Sequence, residues 1–144
     1  MTRASRGGDI ARWPVGILLI GHALIHLMGP ADTWGLADLE QLSGEPTIAV
    51  AGIATEVLAI LWLLPLILLL AAGVAVLARR AWWRPLALIG AVTSQLAIIL
   101  WWEDASAGTI ANLLVVAAVV LAPRLHLAAG PGADRPGTRQ GIKL

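Results

Sequence analysis

Cysteine, tyrosine and phenylalanine are absent from this chain, and lysine occurs once, at Lys143. Without cysteine there is no disulfide, zinc–thiolate site, iron–sulfur cluster or thiol nucleophile. Charge is scarce too: 13% of the 144 residues are charged, where a soluble domain carries about 25%. No Gly-rich phosphate loop, nucleophile elbow or acidic metal cluster occurs. The net charge of +1 gives nucleic-acid binding no support. What remains is apolar. With 58% hydrophobic residues and a mean hydropathy of +0.81, the chain holds more apolar surface than one soluble core of this size can cover. Its preference for Ala, Leu, Gly and Arg is that of a GC-rich bacterial genome.

Four stretches approach the roughly 17–25 apolar residues that cross a bilayer: about 13–31, 57–78, 86–102 and 105–123. Lipid offers the backbone no water to bond, so these are expected to be helices. The expected fold is an all-α membrane domain over 1–129, an antiparallel bundle of four transmembrane helices, followed by a disordered cytoplasmic tail over 130–144. The connections after the second and third spans are tight, which makes consecutive helices antiparallel neighbours. Pro14 and Pro85 fall at the first turns of their helices, where a missing N–H costs little. Pro65 lies inside the second span and is expected to kink it, freeing a carbonyl near Leu61. A cleaved signal peptide ending near Gly29-Pro30-Ala31 fits poorly, because two histidines would interrupt its apolar segment.

The ten Lys and Arg residues fall in three places: Arg3, Arg6 and Arg12; Arg79, Arg80 and Arg84; Arg124, Arg135, Arg139 and Lys143. The first and third loops hold Asp32, Asp38, Glu40, Glu45, Glu103 and Asp104 instead. Cationic loops stay in the cytoplasm, so both termini are expected inside, in the bacterial inner membrane. Trp13, Trp82 and Trp83 beside the arginines, and Trp101 and Trp102 at the opposite end, read as interfacial anchors. In the first loop, Leu36, Leu39 and Leu42 recur at helical spacing, which predicts a short interfacial helix over 34–42.

Polar side chains inside a span are costly and face the bundle or a cavity. Counting ~1.5 Å per residue from the flanking arginines puts His22 ~15 Å, Gln95 ~16 Å and Asn112 ~18 Å into the membrane, with His26 ~21 Å. Glu56 lies ~34 Å above Arg79, near the outer surface. His22, His26, Glu56, Ser94, Gln95 and Asn112 are therefore candidates for one polar cavity, with Trp102, Glu103 and Asp104 at its outer mouth. Histidines four apart share a helix face and can chelate a divalent metal, with Glu56 as third ligand or as acceptor for a ring N–H. They cannot be opposite axial ligands of one haem, and His126 lies at the other end. The plainer reading needs no cofactor: the imidazoles hydrogen-bond to Ser94, Gln95 or Asn112 and hold the helices together.

Several strings are familiar: Gly21-His22-Ala23-Leu24-Ile25-His26-Leu27-Met28-Gly29, Trp34-Gly35-Leu36-Ala37, Arg80-Ala81-Trp82-Trp83-Arg84-Pro85, Thr93-Ser94-Gln95-Leu96, and Trp102-Glu103-Asp104-Ala105 ahead of Gly108-Thr109-Ile110-Ala111-Asn112. Together, over about residues 15–121, they resemble an uncharacterised family of small bacterial four-helix integral membrane proteins. The same unit is found ahead of a soluble domain of unknown function, and members are sometimes labelled transporter permeases. The chain departs from that pattern at Pro30 and at Ser106-Ala107. The architecture is weakly similar to DoxX-like proteins. The resemblance implies a four-helix fold and carries no activity. The expected function is a small-ligand or lipid-binding module, or an accessory subunit in a homo-oligomer or membrane complex, with an outward-facing polar cavity. The alternatives are a redox or isomerase-type enzyme using His22 and His26, and a transporter component.

Overall fold

In a computed structural model, which describes residues 3–124 and Leu127, the chain is helical, with no strand among those residues. The elements are α1 (Arg3–Ile25), α2 (Met28–Thr33), α3 (Thr55–Leu58), a 3-10 turn (Ala59–Trp62), α4 (Leu63–Leu77), α5 (Trp83–Leu100), α6 (Trp102–Ala105) and α7 (Gly108–Leu121). Three stretches, Ile10–Thr33, Thr55–Leu77 and Trp83–Leu100, are long and apolar enough to cross a membrane. Gly108–Leu121 is apolar but has 14 residues, ~21 Å of helix against a hydrocarbon core of ~30 Å. The tail and His126 lie outside the described residues.

The long helices pack in the cyclic order α1, α4, α5, α7, with α7 closing back on α1. The direction of packing is written in the contacts. Gly16 of α1 faces Leu77, Ile20 faces Gly73, and Gly29 beyond the end of α1 faces Trp62, so α1 and α4 run antiparallel. Gly90 faces Leu69 and Gly108 faces Ile98, continuing the alternation around the ring. Most of the core lies toward the arginine-bearing end, where Leu19, Leu69, Val76, Trp83, Ala87 and Val115 are buried among small residues. A second cluster of Trp62, Ala97 and Trp101 lies toward the acidic loops.

Two prolines shape the acidic end. A proline at position i removes a hydrogen bond to the carbonyl of i−4 and its ring clashes there. For Pro30 that carbonyl belongs to His26, and the helix breaks at His26 and Leu27, whose N–H groups bond three residues back to Ala23 and Leu24. For Pro65 it belongs to Leu61, and the helix tightens into the 3-10 turn over Ala59–Trp62. The expected kink at Pro65 takes that form. The break at Pro30 was not expected, and the first span is two helices rather than one. Pro85 lies in the first turn of α5, but Pro14 lies inside α1, which begins at Arg3.

The helix expected over 34–42 does not form. Instead α2 stops in a closed turn: Gly35 takes φ +66°, its N–H bonds to Asp32 and that of Leu36 to Ala31. This left-handed glycine cap satisfies the last carbonyls and reverses the chain, and the Asp32 carboxylate then takes the N–H of Leu39. The leucine spacing is real but loses to the cap.

The same kind of cap ends α4 without a glycine. Arg79 has φ +59°, with its N–H on Val76 and that of Arg80 on Ala75. A left-handed L-residue costs roughly 1–2 kcal/mol, most of which glycine avoids. Arg79→Gly is expected to be more stable than Arg79→Ala by about 1 kcal/mol in detergent unfolding. The comparison with alanine removes the guanidinium's own contacts from the difference. Equal stability would mean that the turn relaxes away from this conformation.

Candidate functional site

The two helix breaks face each other, and a cavity of about 280 Å³ opens between them. His26, at the break after α1, packs against Trp62, at the end of the 3-10 turn, with ring centroids 5.3 Å apart and planes inclined by 50°. His22 lies one helical turn below, 4.9 Å from His26, and Trp101 stands against Trp62 at 5.6 Å. Four rings thus run in a row along one side of the cavity. Gly29 is needed for this arrangement, because a Cβ there would sit 2.8 Å from the Trp62 indole. Ile98, Ala111 and Gly108 form the opposite wall, and Asp32, Thr33, Gly44 and Asp104 surround the opening.

Below the cavity the candidate amides form a continuous chain. Asn112 Nδ2 donates to Gln95 Oε1 at 3.1 Å, and Gln95 Nε2 donates to Thr109 Oγ1 at 3.1 Å. That leaves Asn112 Oδ1 as acceptor for His22 Nε2–H at 2.9 Å, with Ser94 Oγ 3.4 Å from the same nitrogen. With the amides in this order the His22 proton sits on Nε2 and Nδ1 is the acceptor nitrogen. Thr93 takes no part, since its hydroxyl bonds to the carbonyls of Ile89 and Gly90 on its own helix.

The imidazoles are left with nitrogens that no group among the described residues satisfies. His22 and His26 are 4% and 1% exposed, and His22 Nδ1 and both ring nitrogens of His26 have no hydrogen-bond partner. Each such buried group costs about 1–3 kcal/mol when it stays without a partner. Trp62 Nε1 is buried and unpartnered beside them.

The other candidates divide. Asp104 borders the cavity, and its Oδ2 accepts from both the N–H and the hydroxyl of Ser43, at 3.0 and 2.9 Å. Trp102 and Glu103 are exposed and do not line it; the Glu103 N–H bonds to Thr47 Oγ1. Glu56 is exposed in the first turn of α3, where its carbonyl accepts from Trp34 Nε1, and it too is absent from the lining. Among the described residues no three His, Asp or Glu side chains lie close enough to hold a metal ion, so the imidazole pair has no third ligand of that kind.

Trp62, Trp101 and Asp32 belong to the site without having been candidates. Trp62 is the single aromatic residue of its span, which was a usable signal. Trp101 was expected at the interface and is instead 2% exposed, while Trp102 is 49% exposed. Trp83 and Trp82 divide the same way, at 1% and 50%. Neighbours on a helix point about 100° apart, so a Trp pair at a helix end sends one ring inward and one outward.

No protein-family model, curated protein or solved structure matches the chain.

Proposed function

We propose that this protein is an integral membrane protein of the bacterial inner membrane that binds a small ligand in a pocket open to the outside. The observation that carries the reading is a 280 Å³ cavity lined by a buried histidine, His26, with both ring nitrogens unpartnered. Ligand pockets run from roughly 300 Å³ upward, so this one suits a small molecule and not a whole phospholipid.

Four spans with both termini in the cytoplasm fit the surface as well as the charges. The outward positions of every long helix are aliphatic, such as Ile17 on α1, Ile67 on α4, Val92 on α5 and Leu113 on α7, each more than 60% exposed. A water-soluble monomer does not present apolar surface all the way round. Although α7 is short, α6 and the Ser106-Ala107 turn run into it, and this supports reading the fourth crossing from Trp102 to Leu121.

The absence of native cysteine allows a direct test. Single cysteines replace Glu45, Arg80 or Ala111, and intact cells receive a small cationic methanethiosulfonate that does not cross membranes. Positions 45 and 111 are expected to react from outside, 111 more slowly because it lies in the pocket wall, and position 80 only after permeabilisation. Labelling at 80 in intact cells would overturn the orientation. Protection of 111 until the protein is denatured would overturn the outward-open pocket.

A further inference from the structure

The two ends of the pocket differ in chemistry. Its base is lined by the imidazoles of His22 and His26 and its wall by Trp62 and Trp101. Its rim carries Asp32 and Asp104 and no basic residue. No Lys or Arg occurs anywhere between Arg12 and Arg79, or between Arg84 and Arg124, so nothing in those segments offsets the two carboxylates. Each spends one oxygen on the overlying loop: Asp32 Oδ1 on the N–H of Leu39, Asp104 Oδ2 on Ser43. Asp32 Oδ2 and Asp104 Oδ1 take no hydrogen bond from the described residues, and the same segments of sequence carry Asp38, Glu40, Glu45, Glu56 and Glu103.

We infer that the pocket takes a small organic cation, with an ammonium group at the Asp32–Asp104 rim, an apolar or aromatic body against Trp62 and Trp101, and a hydroxyl donating to the imidazoles at the base. This rests on the ligand-pocket reading above and names the chemical class. An acidic rim around a low-dielectric cavity concentrates cations. An anion would meet carboxylates with no counter-charge. A bare metal ion is disfavoured for a geometric reason: the rim carboxylates and the basal imidazoles do not converge as one ligand set. Satisfying both ends requires a molecule with length.

Four probes of nearly one shape separate the parts: tyramine, phenethylamine (no hydroxyl), 4-ethylphenol (no amine) and 3-(4-hydroxyphenyl)propanoate (carboxylate for ammonium). Binding to the purified full chain is read by calorimetry and by tryptophan fluorescence, since Trp62 and Trp101 line the site. Tyramine is expected to bind most tightly, phenethylamine and 4-ethylphenol roughly tenfold more weakly, and the propanoate not at all. Asp32→Asn and Asp104→Asn keep an oxygen for the loop N–H groups, and each is expected to weaken tyramine roughly tenfold while leaving 4-ethylphenol unchanged. Unchanged 4-ethylphenol binding also reports an intact pocket in those variants. If 4-ethylphenol or the propanoate binds as well as tyramine, the cation inference falls and the pocket stands. If none of the four binds, the cation inference falls; if the cysteine at 111 is also unreachable, the pocket falls with it.

Discussion

Replacing Asn112 by leucine is expected to lower the free energy of unfolding by about 2–3 kcal/mol, far more than a surface substitution. Asn112 is 5% exposed and holds two bonds at once, accepting from His22 Nε2 and donating to Gln95 Oε1. Leucine fills the space but strands the buried His22 N–H, worth about 1–3 kcal/mol, and removes the donor from the part-buried Gln95 amide oxygen. Interhelical bonds in membrane proteins average only about 0.6 kcal/mol when the freed groups find other partners, and His22 has only Ser94, at 3.4 Å, to turn to. Gln95→Leu should cost less, about 1 kcal/mol, because Gln95 is only partly buried. The double variant should cost scarcely more than Asn112→Leu alone, since the chain is already cut. Equilibrium unfolding in mixed detergent micelles measures all three. Small additive losses would show that the amides are solvated rather than joined.

Gly73→Leu is expected to destabilise the fold by about 3 kcal/mol or more. A Cβ at Gly73 would lie 2.6 Å from Ile20 Cγ1 and 3.3 Å from the backbone oxygen of Gly16, and Gly16 in turn lies against Leu77. The α1–α4 seam is therefore set by two glycines whose absent side chains bring the backbones together. Overpacking such a contact costs about 1–3 kcal/mol when neighbours can shift, and more when backbone is in the way. Gly21 is the control. A Cβ there meets nothing within 4 Å, so Gly21→Leu should change stability by no more than about 0.5 kcal/mol or raise it slightly through helix propensity. Comparable losses at 21 and 73 would remove the close seam as the explanation.

How much of this was legible depended on which physical signal the residues emit. Apolar runs announce helices, and depth counting placed His22, Gln95 and Asn112 within a few ångströms of one level, where hydrogen bonds now join them. Counting along an axis says nothing about rotation around it. That is why Trp101 and Trp83 read as interfacial rings in the sequence but are buried, and why Glu56, at a plausible height, is exposed on the first turn of α3. The 34–42 segment failed for another reason: a leucine period describes a face the chain could bury, but one glycine in a left-handed cap decides whether the helix begins. Pro30 carried the most overlooked information. Its i−4 partner is His26, so the residue that opens the helix also lets the histidine leave the regular hydrogen-bond ladder.

The chain from His22 to Thr109 has a property that its distances alone do not display. Every link is an amide or a group able both to give and to accept a proton, so the same atoms support a second, reversed order. In that order both amides are rotated half a turn, Thr109 donates to Gln95, Gln95 to Asn112, and Asn112 to a bare Nε2 on His22. The imidazole proton then resides on Nδ1, which becomes a donor instead of an acceptor. The two orders cannot be mixed, because a mismatch sets two acceptors or two donors against each other. The tautomer of His22 on α1 and the orientation of the Thr109 hydroxyl on α7 are therefore tied together through three hydrogen bonds.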